Sequence, residues 1–437
     1  MSSLRGLGFS KDSFLRVKWR RLRQKKKEIL LITKIRLRYY WITRKTTIKI
    51  KQLQSKDTIK VAFLQMYAGE CQNHILFEKL LGDQCFEPYF IINPDISRSD
   101  ENFRVQYERA YNEIALKYGK ERVLHGYDFV SQTFYDYVDR FDLMTTANPY
   151  DSMAHQFFKI KYWVKKSIPV FYISYFYMGR CIVTIDNLKL ETSNYFWKFF
   201  VENQGVIALA KKCQVIKGKN MILSGYPKMD SLASIPSCPQ KKRKLIIIAP
   251  HHSIYEAQSA IGSFLQYYDI LWQCMQTHHD IDFVFRPHPL LYQQLARDDF
   301  WGEQKTKEYY DKVCALNNVT YSTQGDYTEL FAQSDGLIHD CGSFMAEYLY
   351  TGKPCAFLYR DTLNPQEAWT EFGRKCVGVH YPIHKSDDID WFIQNVIISG
   401  NDSKKAQRES FAQNEVMINY PHATQTIYEL LKQTFSK

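Results

Sequence analysis

No apolar run in these 437 residues approaches the 18 or so that a membrane-crossing helix needs; the best, Ile29–Ile32, is broken by Lys34, Arg36 and Arg38. The basic start is followed by neither an adequate apolar stretch nor a small-residue cleavage site, which excludes a cleavable secretory leader. The expectation is a soluble protein with no span of its own. Paired cysteines are missing too. The ten cysteines (Cys71, Cys85, Cys181, Cys213, Cys238, Cys274, Cys314, Cys341, Cys355 and Cys376) form no C-x-x-C, and a chain this long has no need of disulfide staples. They read as free thiols, buried or half-buried, in a reducing cytoplasm. With 19 Gly and 14 Pro the chain is neither fibrous nor disordered. What is plentiful is apolar and aromatic: 45% hydrophobic residues, with 31 Tyr and 28 Phe, support sizeable cores, and the length fits two domains with a short extra segment.

Charge is uneven. The net charge is +12, yet residues 1–60 carry 19 Lys/Arg against Asp12, Glu28 and Asp57, a local +16, so the other 377 residues are slightly acidic at −4. In residues 1–58 the Lys and Arg interleave with Val17, Trp19, Leu22, Ile35, Leu37, Tyr39, Tyr40, Trp41 and Ile42. That mixture suits a helix lying in an anionic membrane interface, where each cation contributes about 1 kcal/mol. A solvated tail is the competing reading. Nucleic acid is not expected as a partner, because no basic groove elsewhere continues the footprint.

After Lys60 short apolar runs alternate with amphipathic stretches. Strands are expected at Lys60–Met66, Tyr89–Asn93, Leu143–Ala147, Val170–Tyr175 and Met221–Ser224, with helices at His74–Leu81, Asn102–Tyr118, Ala154–Val164 and Tyr195–Ala210. The second half predicts strands at Lys244–Ala249, Asp282–Phe285, Val319–Ser322, Gly336–His339, Cys355–Leu358 and Val377–Val379. Its helices are expected at Ala257–Met275, Lys305–Leu316, Thr328–Gln333, Ser343–Tyr350 and Asp387–Ile398. This is α/β, two Rossmann-like domains facing a cleft behind a basic arm. The boundaries read as arm 1–58, first domain 59–230, linker 231–243, second domain 244–405 and a C-terminal helical segment 406–437.

Chemistry-bearing residues gather at three strand ends of the second half: Pro250-His251-His252-Ser253, Arg286-Pro287-His288-Pro289 and Asp340-Cys341-Gly342-Ser343, with Glu347 one turn on. Their shared fit is a phosphorylated nucleotide. Gly342 and Ser343 offer backbone N–H groups at a helix start, and Arg286 offers a permanent charged fork. His288, clamped between prolines, is a proton donor or acid/base near neutral pH. Glu347 suits ribose hydroxyls. Competing readings remain: Asp340 or Ser343 as a helix cap, Glu347 as a surface residue, and His251 with His252 as a metal pair. No further ligand stands at zinc-like spacing, so no metal and no cofactor is expected.

In order, Gly225-Tyr226-Pro227-Lys228-Met229-Asp230, Ala249-Pro250-His251, Arg286-Pro287-His288-Pro289, His339-Asp340-Cys341-Gly342-Ser343, Glu347 and Gly352-Lys353-Pro354 resemble the CDP-glycerol glycerophosphotransferase family, the teichoic-acid primases and polymerases. The resemblance implies a GT-B fold whose second domain holds a CDP-activated donor. It places Arg286 and His288 on the diphosphate, and sets Asp340 and Ser343 in the segment that reads Asp-Tyr-Ser-Ser in the family. Glu347 stands where the family usually has Asp. The implied chemistry is metal-free displacement at the β-phosphate, with CMP leaving.

Two departures bear on the base. The family's Trp-His-Gly-Thr is absent; Tyr175 falls near its place, and an ordinary phenol is a poor base at neutral pH. Where the family has Pro-Thr-x-Arg this chain has Pro250-His251-His252-Ser253, so His251 or His252 is the candidate base beside His288. The favoured function is transfer of glycerol phosphate, or a related polyol phosphate, from a CDP donor to a lipid-linked glycan in bacterial surface-polysaccharide synthesis. The enzyme is expected on the cytoplasmic face of the membrane, held by the arm. A nucleotide-sugar glycosyltransferase on the same scaffold is the alternative; a non-catalytic scaffold and an epimerase of the same architecture trail it.

Overall fold

Runs of Ile, Val, Phe and Leu with no polar alternation build strands buried on both faces, and here they form two parallel sheets. The computed structural model describes residues 11–67, 73–97, 100–236, 243–255, 260–323 and 325–436. In the first lobe the strands are β1 (Ile59–Gln65), β2 (Phe86–Ile92), β3 (Val123–His125), a small antiparallel hairpin of β4 (Tyr127–Asp128) and β5 (Thr133–Phe134), β6 (Leu143–Thr146), β7 (Val170–Ile173), β8 (Lys198–Val201) and β9 (Met221–Leu223). The second lobe has β10 (Lys244–Ala249), β11 (Ile281–Phe285), β12 (Val319–Tyr321), β13 (Gly336–His339), β14 (Cys355–Leu358) and β15 (Tyr381–Ile383).

The sheet orders are β3-β2-β1-β6-β7-β8-β9 and β12-β11-β10-β13-β14-β15. Each runs outward from a central strand and then reverses, which is the doubly wound order, and ligands bind outside the carboxyl ends where it reverses. In the second sheet that switch lies between β10 and β13. Their register sets Ala249 beside His339 and Ile248 beside Phe285, so three strand tips finish side by side.

The strands Lys244–Ala249, Gly336–His339 and Cys355–Leu358 stand where the sequence puts them; other expectations shift. Tyr195–Ala210 is not one helix: Trp197 to Val201 is an aromatic, β-branched run that pairs as β8, and Asn203 then caps a helix over Gln204–Cys213 by accepting from the Val206 N–H at 3.1 Å. Val377–Val379 is not a strand either. It ends the helix Glu371–Gly378, which Thr370 caps by accepting from Gly373 N–H at 3.0 Å. The expected helix start at Ala257 and the linker's 237–242 lie outside the described residues.

The Gly-Tyr-Pro-Lys-Met-Asp segment makes the crossing between lobes. Gly225 has φ +85°, and a Cβ there would sit 2.0 Å from the Ile418 carbonyl oxygen, so glycine is required. Asp230 accepts from the N–H groups of Ala423 and Thr424 and so caps the helix Ala423–Phe435. That helix buries Ile427, Leu431 and Phe435 with Val61 and Phe63 in the first lobe's core, so the chain's C-terminal segment completes its N-terminal lobe.

Residues Lys11–Leu53 form one helix of 43 residues. Ile35, Ile42, Thr46 and Leu53 face the first lobe, and Arg38 pairs with Glu191 at 2.6 Å. Trp19, Leu30, Leu37, Trp41 and Ile48 lie on the opposite side, at offsets that return to within about 40° of one line at 100° per residue, and each is at least half exposed. Lys26, Arg23, Lys34 and Arg44 flank that stripe. Among the described residues, no helix is long and apolar enough to cross a membrane.

Candidate functional site

Backbone bonds draw the three strand tips together. The Arg286 N–H donates to the Ile248 carbonyl at 2.8 Å, and the His288 N–H to the Pro250 carbonyl at 2.9 Å. The consequence is a cluster of imidazoles: ring centroids lie 4.3 Å apart for His251 and His252, 4.0 Å for His252 and His288, and 5.1 Å for His251 and His288.

Their tautomers follow from one repeated local motif. In His251, His288 and His339 the ring Nδ1 accepts the backbone N–H two residues on, from Ser253 (3.2 Å), Leu290 (3.1 Å) and Cys341 (3.1 Å). An amide N–H only donates, so each neutral ring carries its proton on Nε2. Ser253 Oγ, which accepts from Ile261 and Gly262, donates to the same His251 nitrogen at 2.8 Å. Burial pushes His252 down to about 4 and His288 to about 3, and holds His251 well below the ordinary histidine range. At neutral pH the cluster therefore presents N–H donors.

Two expectations change here. His251 is not placed as a base, because its one free lone pair is already used; His252 is the ring of the cluster whose Nδ1 is buried without a hydrogen-bond partner among the described residues. The fold also supplies the third histidine that sequence spacing lacked: ligand atoms of His251, His252 and His288 lie within 4.8 Å of one another. Zinc would require Nε2 of His251 and His288 deprotonated, against the amides that fix the other tautomer, so an anion suits the cluster better than a cation. A second group, His339, Cys355 and His380, is satisfied internally: His339 Nε2 lies 3.3 Å from His380 Nδ1, and His380 Nε2 is 2.9 Å from the Met345 carbonyl.

Among the contacts that hold Arg286, Nη1 donates to Ser322 Oγ at 2.9 Å and the guanidinium lies 5.1 Å from the Tyr327 ring centre. Lys228 Nζ joins this arrangement, 4.1 Å from the same ring centre and 2.8 Å from the Tyr327 hydroxyl. Sequence reasoning did not single out Lys228 or Tyr327. Glu347 is not an open ribose acceptor. It is 1% exposed, and its two oxygens accept from the hydroxyls of Tyr226 and Tyr327, so it positions the ring on which both cations rest.

Asp340 is likewise internal rather than ligand-facing. It accepts from the His251 N–H at 2.5 Å and from Ser263 N–H and Oγ at 2.6 and 2.8 Å, locking the loop after β10 to the tip of β13, and burial pushes its carboxyl up to about 6. Gly342 and Ser343 remain at the tip between the lobes. The helix they open is a single turn, Phe344–Glu347, before it tightens, so individual amides matter there more than any summed dipole.

Arg180 was also missed. It follows Gly179 after β7 in the first lobe, but its backbone bridges to Trp369 and its side chain lies along Gly342 of the second. The only sequence signal was its position just past a strand end.

Comparisons agree with this picture. Residues 179–368, under half of the chain, match the family model described as CDP-Glycerol:Poly(glycerophosphate) glycerophosphotransferase, the family that the motifs resemble. No curated protein matches the sequence. Among solved structures, a variant of the wall teichoic acid polymerase TagF aligns with TM-score 0.53 at 12% identity, over 93% of this chain and 98% of that one. UDP-GlcNAc 2-epimerase from Neisseria meningitidis, bound to UDP-GlcNAc, aligns with TM-score 0.51 at 14% identity, over 86% of this chain and all of the other. At such identities the likeness is one of fold, and the fold is GT-B: two Rossmann-like lobes with their strand ends facing.

Proposed function

We propose that the protein transfers glycerol phosphate, or a related polyol phosphate, from a CDP-activated donor to a hydroxyl of a lipid-linked glycan. The observation that carries this reading is the set of neighbouring strand tips at the switch point, which bring Arg286 and a cluster of neutral imidazoles onto adjacent loops within the segment covered by the family match. Such donors complement a diphosphate and the charge that builds on it in the transition state. An acceptor oxygen forms a bond to the β-phosphorus. The bond from that phosphorus to the bridging oxygen breaks, CMP leaves with the electron pair, and the hydroxyl proton is taken by a base, for which His252 Nδ1 is the candidate. No metal enters the scheme. Purified protein given CDP-glycerol and a lipid-linked acceptor is expected to release CMP at a rate unchanged by EDTA; no CMP would count against the reading.

The absence of a histidine between β7 and Cys181 keeps one alternative, a glycosyltransferase using a nucleotide sugar. Thermal stabilisation by UDP- or GDP-sugars, and not by CDP-glycerol, would favour it.

The N-terminal helix fits an anionic membrane surface as partner. Its inner face is occupied by the first lobe while the outer stripe, with Trp19 and Trp41, is flanked by cations. Serine at Leu37 and Trp41 together is expected to lower partitioning onto phosphatidylglycerol vesicles by about tenfold or more, with little change in melting temperature, since both side chains point away from the body. Equal binding by the variant in a sedimentation assay would remove the stripe from consideration.

A further inference from the structure

The first lobe reaches into the second lobe's site at one point. The Gly179 carbonyl accepts from both the N–H (2.9 Å) and the Oγ1 (3.1 Å) of Thr370, and Arg180 pairs backbone to backbone with the fully buried Trp369. The fit is close on both sides: a Cβ on Gly179 would come within 1.7 Å of Met345 Cε, and one on Gly373 within 2.2 Å of the Gly179 oxygen. The loop is thus bolted in place, and Arg180 leaves it in a fixed direction.

That direction runs over Gly342. A Cβ on Gly342 would lie 2.6 Å from Arg180 Cδ and 3.1 Å from Cγ. The Asp-Tyr-Ser-Ser pattern that this segment resembles has a side chain there; this chain has glycine, and the vacated space holds the arginine stem. The guanidinium is mostly buried, and its charge helps to disfavour protonation of His251 and His252, in keeping with a stem that runs toward their loop over Gly342.

We propose that Arg180 is a donor-phosphate ligand supplied by the first lobe, meeting the β-phosphate of a nucleoside diphosphate. This rests on the transferase reading above and adds to it the residue and the phosphate. The nucleoside belongs to the second lobe and the transferred group points toward the first, so a cation arriving from the first lobe meets the distal phosphorus. A guanidinium fork near imidazole N–H donors is complementary to tetrahedral phosphate oxygens and to no neutral sugar hydroxyl in the same degree. Charge from both lobes on one phosphoryl group also stabilises its transition state.

The test compares two probes, CDP and CMP, which differ only by the β-phosphate, by calorimetry on the full chain. Arg180→Ala is expected to weaken CDP by about 30-fold or more and CMP by no more than about twofold. Gly342→Ala, which crowds the stem without touching the charge, should reproduce the same selective loss more weakly. Guanidinium chloride at millimolar concentration is expected to restore part of the CMP release of Arg180→Ala, a rescue that a purely structural arginine would not show. Equal weakening of both nucleotides, or wild-type protein binding CDP no better than CMP, would overturn the assignment while leaving nucleotide binding intact. Wild-type protein that binds neither would instead overturn the transferase reading itself.

Discussion

Replacing Arg286 with alanine is expected to slow CMP release from CDP-glycerol by about 10²–10³-fold, or roughly 3–4 kcal/mol, the scale seen when one preorganised donor to a developing charge is removed. The preorganisation is visible. Ser322 fixes one guanidinium nitrogen, the Tyr327 ring lies against the guanidinium, and Glu347 anchors Tyr327 by its hydroxyl. Lysine is therefore not expected to substitute. A point charge neither stacks on the ring nor offers two parallel N–H groups, so Arg286→Lys should recover less than about a tenth of the wild-type rate. Steady-state kinetics separates the terms: a loss shared between kcat and KM fits a contact to the diphosphate in both ground and transition states. If Arg286→Ala costs less than about threefold in kcat/KM, the strand tips do not hold the donor.

Tyr327 also marks where sequence reading stops. The second lobe was legible because its strands are buried on both faces and read as unbroken apolar runs: Lys-Leu-Ile-Ile-Ile-Ala and Cys-Ala-Phe-Leu appear with their ends where expected. The residues at those ends were legible too, since strand tips are where this topology places chemistry. What the residues do there was not. Glu347 reads as an open carboxylate until Tyr226, 121 positions away, and Tyr327 close over it. Asp340 reads as a cap and proves to be a clamp on Ser263, 77 positions away. The histidine cluster gained its third member, and the site its arginine from the other lobe, through crossovers that no local pattern encodes. In the first lobe β8 was misread because the aromatic run Trp197–Phe200 serves a helix face or a buried strand equally well, and only the cap at Asn203 distinguishes them.

Acid should undo this fold early. His252 is held down to about 4, His288 and His339 to about 3, and His251 and His380 well below the ordinary range, each chiefly by burial. A histidine whose folded pKa is depressed takes up its proton on unfolding. Its contribution is whole above the unfolded value near 6.5 and is lost as pH falls from there toward the folded value. One unit below 6.5 each such ring costs about 1.4 kcal/mol, and five cost about 7 kcal/mol. Two carboxyls oppose them. Burial raises Glu202, which accepts from Met178 N–H at 2.6 Å, to about 7, and Asp340 to about 6. Both are protonated in the fold before they are in the unfolded chain, so their destabilisation is relieved as pH falls, by about 3 kcal/mol together between pH 7 and 5.5. The histidines win by roughly 4 kcal/mol, enough to lower the melting temperature by about 5 °C in that window. Calorimetric scans at pH 7 and 5.5 measure it, and His288→Asn, which removes one of these rings, should shrink the drop by about a third. A melting temperature that holds steady or rises over this interval would mean that the imidazoles are not buried neutral at the strand tips, and the anion cradle assembled from their N–H groups would fall with them.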